Sequence, residues 1–169
     1  GRATFLSNED IIYLRNNGVK FTCKEMDKVI EINNELDYIY SKLDITDSMS
    51  QKDKLDKMLL YIFDRFSYDS YIANKLDNNE KTPEETSRKY IGGFLYGALE
   101  SNTQVCGNYA AFLNTMCKRA GIESYIICSE DHAYNGVVVD GRKYFIDSTS
   151  LDSLTYTDDN IVYDLEDVF

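Results

Sequence analysis

Hydrophobic spacing and helix-starting residues along the chain predict five helices. Apolar residues recur at three- and four-residue steps behind Ser, Thr or Pro residues that are common at helix starts. The predicted helices cover residues 7–15, 23–43, 50–66, 84–99 and 105–119. The fourth is expected to bend or break at Gly92-Gly93, because glycine is a poor helix former.

Runs rich in β-branched and aromatic residues predict strands in the C-terminal half. They cover residues 122–128, 133–139, 142–147 and, as a last edge strand, 161–163. Asp140-Gly141 stands between the second and third runs, and this dipeptide is typical of a two-residue β-hairpin turn. The sequence therefore predicts an α+β fold in which an antiparallel sheet follows a long helix.

The predicted hairpin turn also fixes which residues face each other. Val139 then lies opposite Arg142, and Asp147 lies opposite Tyr134. His132 is two residues before Tyr134, so it and Asp147 are diagonal neighbours on one face of the hairpin. We expect an imidazole–carboxylate hydrogen bond between them.

Composition limits the classes of protein to consider. With 169 residues we expect a single domain, residues 1–169, in which residues 1–45 form a helical extension. The chain carries 18 Lys and Arg against 29 Asp and Glu, a net charge of -11, which disfavours binding to nucleic acid. No apolar run is long enough for a membrane span. The oligomeric state is not predicted.

Cys106 is the candidate nucleophile. It falls in the first turn of the predicted helix 105–119, with Ser101, Asn102 and Thr103 available as caps and Gly121 as a stop. The N–H groups and positive dipole end of a helix start favour a thiolate. Taken alone, a cysteine at this position would more often be a buried structural thiol.

Cys106, His132 and Asp147 together have the composition of a nucleophile–base–orienter triad. His132 is the only histidine among the 169 residues, so any thiol–imidazole chemistry must use it. One histidine and the lack of a Cys-x-x-Cys pair leave no four-ligand set with the usual spacing. We therefore expect neither a metal nor a cofactor.

The same residues resemble the transglutaminase-like (papain-related) superfamily, bacterial type. The matching runs are Val105-Cys106-Gly107-Asn108-Tyr109-Ala110, Gly121-Ile122, His132-Ala133-Tyr134-Asn135 and Asp140-Gly141-Arg142-Lys143-Tyr144-Phe145-Ile146-Asp147-Ser148-Thr149. A weaker match upstream extends the family-like core to residues 50–152. The resemblance implies a papain-like core, with the cysteine helix packed on an antiparallel sheet, and assigns catalysis to Cys106, His132 and Asp147.

The chain departs from the family pattern at two positions. Asn108 stands where the family usually has glycine, and Tyr134 stands where it usually has tryptophan. The chain has no tryptophan, so the indole that helps form the oxyanion hole in animal transglutaminases is absent. Candidates for oxyanion or substrate binding, beside the backbone N–H of Cys106, are Gln104, Tyr68, Tyr71 and Tyr134.

The function predicted from these residues is thiol-dependent acyl transfer on protein or peptide amides. A cysteine protease or amide hydrolase is favoured, and a cross-linking transglutaminase is the alternative. A non-catalytic binding module with the same fold is the second alternative. Resemblance to the bacterial members slightly favours a location outside the cell or at its surface.

Overall fold

A computed structural model of the chain describes residues 16–17, 23–78, 99, 103–129, 132–153 and 163–164. The helices are α1 (Cys23–Ser41), α2 (Gln51–Arg65), α3 (Ser70–Asp77) and α4 (Cys106–Arg119), with a 3₁₀ turn at Ser148–Ser153. The strands are β1 (Ser67–Tyr68), β2 (Thr103–Gln104), β3 (Glu123–Cys128), β4 (Ala133–Val139), β5 (Arg142–Ile146) and β6 (Tyr163–Asp164). The predicted helix 7–15 and, apart from Leu99, the predicted helix 84–99 lie outside the described residues.

The larger sheet is antiparallel, with strand order β3-β4-β5-β6. Val139 pairs with Arg142, as the hairpin turn predicted. Asp140 and Gly141 have φ values of 50° and 83°, the positive values that a type I′ turn requires at both central positions. The predicted register is therefore confirmed. The described last strand, Tyr163–Asp164, shares only Tyr163 with the predicted strand 161–163, and positions 161 and 162 lie outside the described residues.

The predicted capping of α4 by Thr103 is wrong. Thr103 and Gln104 form β2, which pairs in parallel with Ser67 and Tyr68 of β1. The chain therefore stays extended up to Val105, which is the N-cap residue of α4. The other two candidate caps, at positions 101 and 102, lie outside the described residues.

Helix α3 was not predicted, although the sequence carries its start signal. Asp69 precedes the helix, and its Oδ1 accepts a hydrogen bond of 3.0 Å from the backbone N–H of Ile72. This is the bond that an N-cap aspartate makes. The backbone N–H of Asp69 donates to the carbonyl of Gln104 at 2.7 Å, so the same residue also joins α3 to the segment before α4.

The core lies between α2, α4 and the inner face of the sheet. Apolar side chains from all three are buried there, and they include Leu55, Met58, Leu59 and Ile62 of α2, Phe112, Leu113 and Met116 of α4, and Val137, Val139 and Ile146 of the sheet. In β4 the odd-numbered residues face this core and are buried, as alternation along a strand requires. Burial of α4 against both neighbours fixes the position of its first turn.

Helix α4 ends in the way that its sequence predicts. Gly121 has a φ of +73°, and the backbone N–H of Ile122 donates to the carbonyl of Cys117 at 2.9 Å. Gly121 N–H donates to the carbonyl of Lys118 at 3.2 Å. These two bonds form a Schellman motif, in which glycine satisfies the last carbonyls of a helix.

Helix α1 packs on the same core through Leu36, which is buried. An ion pair of 2.8 Å between Asp37 and Arg119 also joins α1 to α4, and a surface pair of this kind adds little stability. The predicted helical extension therefore contributes to the core that α2 and α4 share. Within the described residues, no helix has both the length and the apolar character needed to cross a membrane.

Candidate active site

The first turn of α4 carries Cys106 at its first residue. Val105, the N-cap, makes no side-chain hydrogen bond to the helix, because valine has no acceptor. The thiol is half-buried. A helix start without a side-chain cap keeps its N–H groups and its positive dipole end directed at whatever lies before it, and both favour negative charge at Cys106.

Asn108, one of the departures from the family pattern, has a local structural role. Its Oδ1 accepts a hydrogen bond of 3.0 Å from the backbone N–H of Val105, and its side chain is buried. A side chain that reaches back from the third helical residue to the N-cap N–H is one half of a capping box. Asn108 therefore fixes the backbone on both sides of Cys106.

His132 and Asp147 form the hydrogen bond that the hairpin register predicts. Nε2 of His132 lies 2.7 Å from Oδ2 of Asp147. Each residue lies just beyond the end of its strand, and the side chains are 32% and 39% exposed, so the pair is accessible from solvent. Because Asp147 engages Nε2, Nδ1 is the ring nitrogen available to a thiol.

The second carboxylate oxygen of Asp147 is also bound. Oδ1 accepts a hydrogen bond of 2.5 Å from the hydroxyl of Thr149 and one of 3.2 Å from its backbone N–H. This is an Asx-type turn, in which an aspartate side chain bonds the backbone two residues on. Sequence reasoning missed this contact, although Asp-Ser-Thr is a recognisable turn sequence.

Two hydrogen bonds set how α4 lies against the sheet. Nδ2 of Asn135 in β4 donates to the carbonyl of Ala110 at 2.9 Å. The hydroxyl of Ser124 in β3 donates to Oδ1 of Asn114 at 2.7 Å, and Ser124 pairs with Val137 of β4. Four helical residues and two strand residues each advance about 6 to 7 Å, so α4 and β4 run in the same direction.

This alignment determines which end of the sheet faces the thiol. Cys106 is one helical turn before Ala110, and His132 directly precedes β4. Moving back from the Asn135–Ala110 bond, both chains reach these residues at the same end of the helix–sheet pair. Cys106, His132 and Asp147 therefore lie at one end of the layers.

Two of the four predicted oxyanion or substrate residues flank this end. The ring of Tyr134 stacks on His132, with centroids 6.1 Å apart and planes at 26°. Tyr68 lies 6.4 Å from the ring of Tyr109, in the first turn of α4. Both Tyr68 and Tyr134 are half-buried, which leaves part of each side chain accessible.

The other two predicted residues differ in their exposure. Gln104 is fully buried, with 0% of its surface exposed. Since a fully buried amide has no access to a substrate in this structure, Gln104 suits a substrate-facing role less well than the two tyrosines do. Tyr71 of α3 is 67% exposed, and its side chain extends into solvent.

The remaining described thiols have different environments from Cys106. Cys117 is buried, and desolvation raises the pKa of its thiol to about 12, against smaller opposing effects of Ser124 and Lys118. Its Sγ lies 3.9 Å from Sδ of Met58. Cys128, at the end of β3, is exposed. Buried structural thiols are inert, so Cys128 is the natural reference for the reactivity of Cys106.

Metal binding has no support in the described ranges, where no three His, Cys, Asp or Glu side chains are grouped so that they could hold an ion. The end of the layers where α4 begins instead carries a sulfur at a helix start and an imidazole oriented by a carboxylate.

Comparisons with known proteins support the fold. No family model and no curated protein matches the sequence. Among solved structures the chain is similar to a crystal structure of a TGase, with a TM-score of 0.64 and 20% sequence identity. The match covers 88% of this chain and 39% of the TGase chain, so this chain spans about two fifths of that protein's length. At this level of identity the similarity shows the fold alone, and the fold of this chain is transglutaminase-like.

Proposed function

We propose that this protein catalyses acyl transfer from protein or peptide amides, with Cys106 as nucleophile, His132 as base and acid, and Asp147 as the group that orients the imidazole. The observation that carries the proposal is the 2.7 Å hydrogen bond between His132 and Asp147. It uses the only histidine of the chain, at the end of the sheet where the helix with Cys106 begins.

In the proposed reaction, the proton of the Cys106 thiol passes to Nδ1 of His132, and the thiolate attacks the amide carbonyl. The resulting oxyanion accepts hydrogen bonds from the backbone N–H of Cys106 and one further donor, for which Tyr68 and Tyr134 are the best-placed candidates. The C–N bond then breaks, His132 gives its proton to the leaving amine, and a thioester remains on Cys106.

The acceptor that releases the thioester decides the type of enzyme. If water attacks, with His132 taking its proton, the product is a carboxylic acid and the protein is a cysteine protease or amide hydrolase. If a lysine amine attacks, a new amide forms and the protein is a cross-linking transglutaminase. Hydrolysis is the proposal, because the half-exposed His132–Asp147 pair gives water direct access to the base.

A simple activated ester tests the chemistry without a known substrate. We expect p-nitrophenyl acetate to acetylate Cys106 in a burst, followed by steady release of acetate. Peptide mass spectrometry identifies the acetylated residue, and adding a primary amine reveals whether an amide competes with acetate as product. Cys128→Ser is the matched control, since it removes an exposed thiol without removing the proposed nucleophile.

Two results would contradict the proposal that this protein is an enzyme. One is acetylation of Cys106 and Cys128 at equal rates. The other is an acetyl group that stays on Cys106 without turnover. Either would favour a non-catalytic binding module, an alternative to which the absence of tryptophan gives some support.

A further inference from the structure

We propose that Thr149 is a positioning residue for the His132–Asp147 pair, and that it acts through the carboxylate it holds. This inference rests on the proposed function. Both hydrogen bonds from Thr149 go to Oδ1 of Asp147. The imidazole of His132 is bound by the other oxygen, Oδ2.

The division of the two oxygens gives Thr149 control of the carboxylate's rotation. The hydroxyl of Thr149 donates to Oδ1 at 2.5 Å, and its backbone N–H donates to the same atom at 3.2 Å. Turning the carboxylate about its Cβ–Cγ bond moves Oδ1 away from both donors. The orientation that presents Oδ2 to the imidazole is therefore also the orientation that Thr149 stabilises.

Such control is needed because the pair is open to solvent. The Asp147 side chain is 39% exposed and that of His132 is 32% exposed, so water can compete for either carboxylate oxygen. In a half-exposed position the hydroxyl of Thr149 supplies the restraint, as supporting hydrogen bonds do around reactive groups.

The turn that contains Thr149 also ties the carboxylate to the helical layer. The hydroxyl and the N–H of Ser150 donate to the carbonyl of Asp147 at 2.7 and 3.2 Å. Ser148 is buried, and the turn Ser148–Ser153 packs against α2 and α4. The position of Asp147 is therefore set relative to the helix that carries Cys106.

A loosened carboxylate affects the imidazole in a defined way. With Oδ2 in place, neutral His132 carries its proton on Nε2 and presents the lone pair of Nδ1 to the thiol. If the carboxylate rotates, the opposite tautomer becomes accessible, and that tautomer cannot accept the thiol proton at Nδ1. Loss of the Thr149 hydroxyl therefore lowers the fraction of molecules with a competent base.

The test compares Thr149→Val, Thr149→Ala and Thr149→Ser, with Thr46→Val as the matched control. Thr46 is an exposed threonine, and its hydroxyl lies 3.0 Å from the hydroxyl of Ser48. Two readouts are followed: the pH dependence of p-nitrophenyl acetate turnover, and the ¹⁵N spectrum of the imidazole. Because the chain has one histidine, that spectrum reports His132 alone.

We expect the Val and Ala variants to lose about tenfold in turnover, roughly the effect of one hydrogen bond to a charged group, and to show mixed imidazole tautomers. The Ser variant, which keeps the hydroxyl, and Thr46→Val should behave like the wild type. The inference is overturned if Val and Ala keep wild-type turnover and tautomer, or if Ser loses both as fully as they do.

The spectrum separates failure of this inference from failure of the proposed function. If the wild type has no turnover but its imidazole is a single tautomer that becomes mixed in the Val and Ala variants, the positioning role stands and the acyl-transfer proposal fails. If the wild type turns over and the variants match it in both readouts, the function stands and Thr149 has no positioning role.

Discussion

Cys106 and Cys117 lie about three turns apart on the same helix, yet their surroundings oppose each other. Cys106 is half-buried at the start of α4, where the N-cap residue Val105 has no capping side chain, at the end of the sheet that carries His132. Cys117 is enclosed by core side chains, and burial raises its thiol pKa to about 12. Position on the helix, rather than residue type, therefore sets the environment of each thiol.

The largest predicted effect is on turnover, when the proposed nucleophile Cys106 is replaced. Cys106→Ser should reduce p-nitrophenyl acetate turnover by at least about 1,000-fold, as expected when a catalytic nucleophile is removed. Cys117→Ser should leave turnover per folded molecule within a few-fold of the wild type. Burst and steady-state kinetics measure both. If the two substitutions have equal effects on turnover, the contrast between the two ends of α4 has no catalytic meaning.

Substitution of Asn135 tests whether turnover depends on the alignment of α4 with β4. Asn135→Ala removes the 2.9 Å bond to the carbonyl of Ala110 and should lower the free energy of unfolding by about 1–3 kcal/mol, because the buried partner loses a donor. It should also slow turnover, since Ala110 is one turn from Cys106.

Ser124→Ala is the control for this prediction. It removes the second helix–sheet bond, to Asn114, which lies farther along α4 from Cys106. We expect a comparable loss in urea unfolding without the loss of turnover. Equal loss of turnover in both variants would show that the site responds to general destabilisation only.

Burial of the Cys117 thiol predicts how the free energy of unfolding depends on pH. Well below pH 9.0, the ordinary pKa of a cysteine thiol, Cys117 keeps its proton in the folded and the unfolded chain. Between this value and about 12 the unfolded chain alone releases it, so ionisation favours unfolding and stability falls as pH rises. From pH 8 to pH 10 this thiol should lower the free energy of unfolding by about 1.4 kcal/mol.

Urea unfolding of the wild type and Cys117→Ala at the two pH values isolates this contribution. Burial also raises the pKa of Tyr40 and Tyr61, which act in the same direction in both proteins. The fall in stability should therefore be smaller in Cys117→Ala. An identical fall in the two proteins would mean that Cys117 is not held in the environment described.

The smallest predicted effect concerns the hydrogen bond between the Asn108 side chain and the backbone of Val105. Asn108→Ala removes the 3.0 Å bond to the N–H of Val105, and the loss of a capping side chain typically costs about 1 kcal/mol. We expect a stability loss of this size in urea unfolding, with a modest fall in turnover. Asn108→Asp, which keeps the acceptor, should preserve stability; a loss as large as that of the Ala variant would argue against a capping role.

The part of the candidate site that lies on the sheet, His132 and Asp147, could be predicted because one hairpin turn determines how these residues pair. Asp140-Gly141 allows a single hairpin register, and that register brings His132 and Asp147 together. The helix with Cys106 was equally readable, since its apolar spacing and Gly121 mark its length. Each of these features depends on residues close together in the chain.

The features that were missed depend on distant or side-chain contacts. The pairing of β1 with β2 joins two-residue strands that are far apart in sequence, and strands of that length have no readable pattern. This pairing is why Val105, rather than Thr103, occupies the N-cap position of α4. The bonds from Thr149 to Asp147 require a turn whose geometry a motif alone does not give.

The central claim is that Cys106 and His132 form a reactive thiol–imidazole pair, and iodoacetamide alkylation tests it most directly. Wild type and His132→Ala are alkylated at pH 6, well below the pKa of about 8.5 of an ordinary cysteine, and labelled residues are mapped by peptide mass spectrometry. The account predicts that wild-type Cys106 reacts at least about tenfold faster than exposed Cys128, and that His132→Ala abolishes this preference. Equal rates for Cys106 and Cys128 in the wild type, or a preference that survives in His132→Ala, would contradict it.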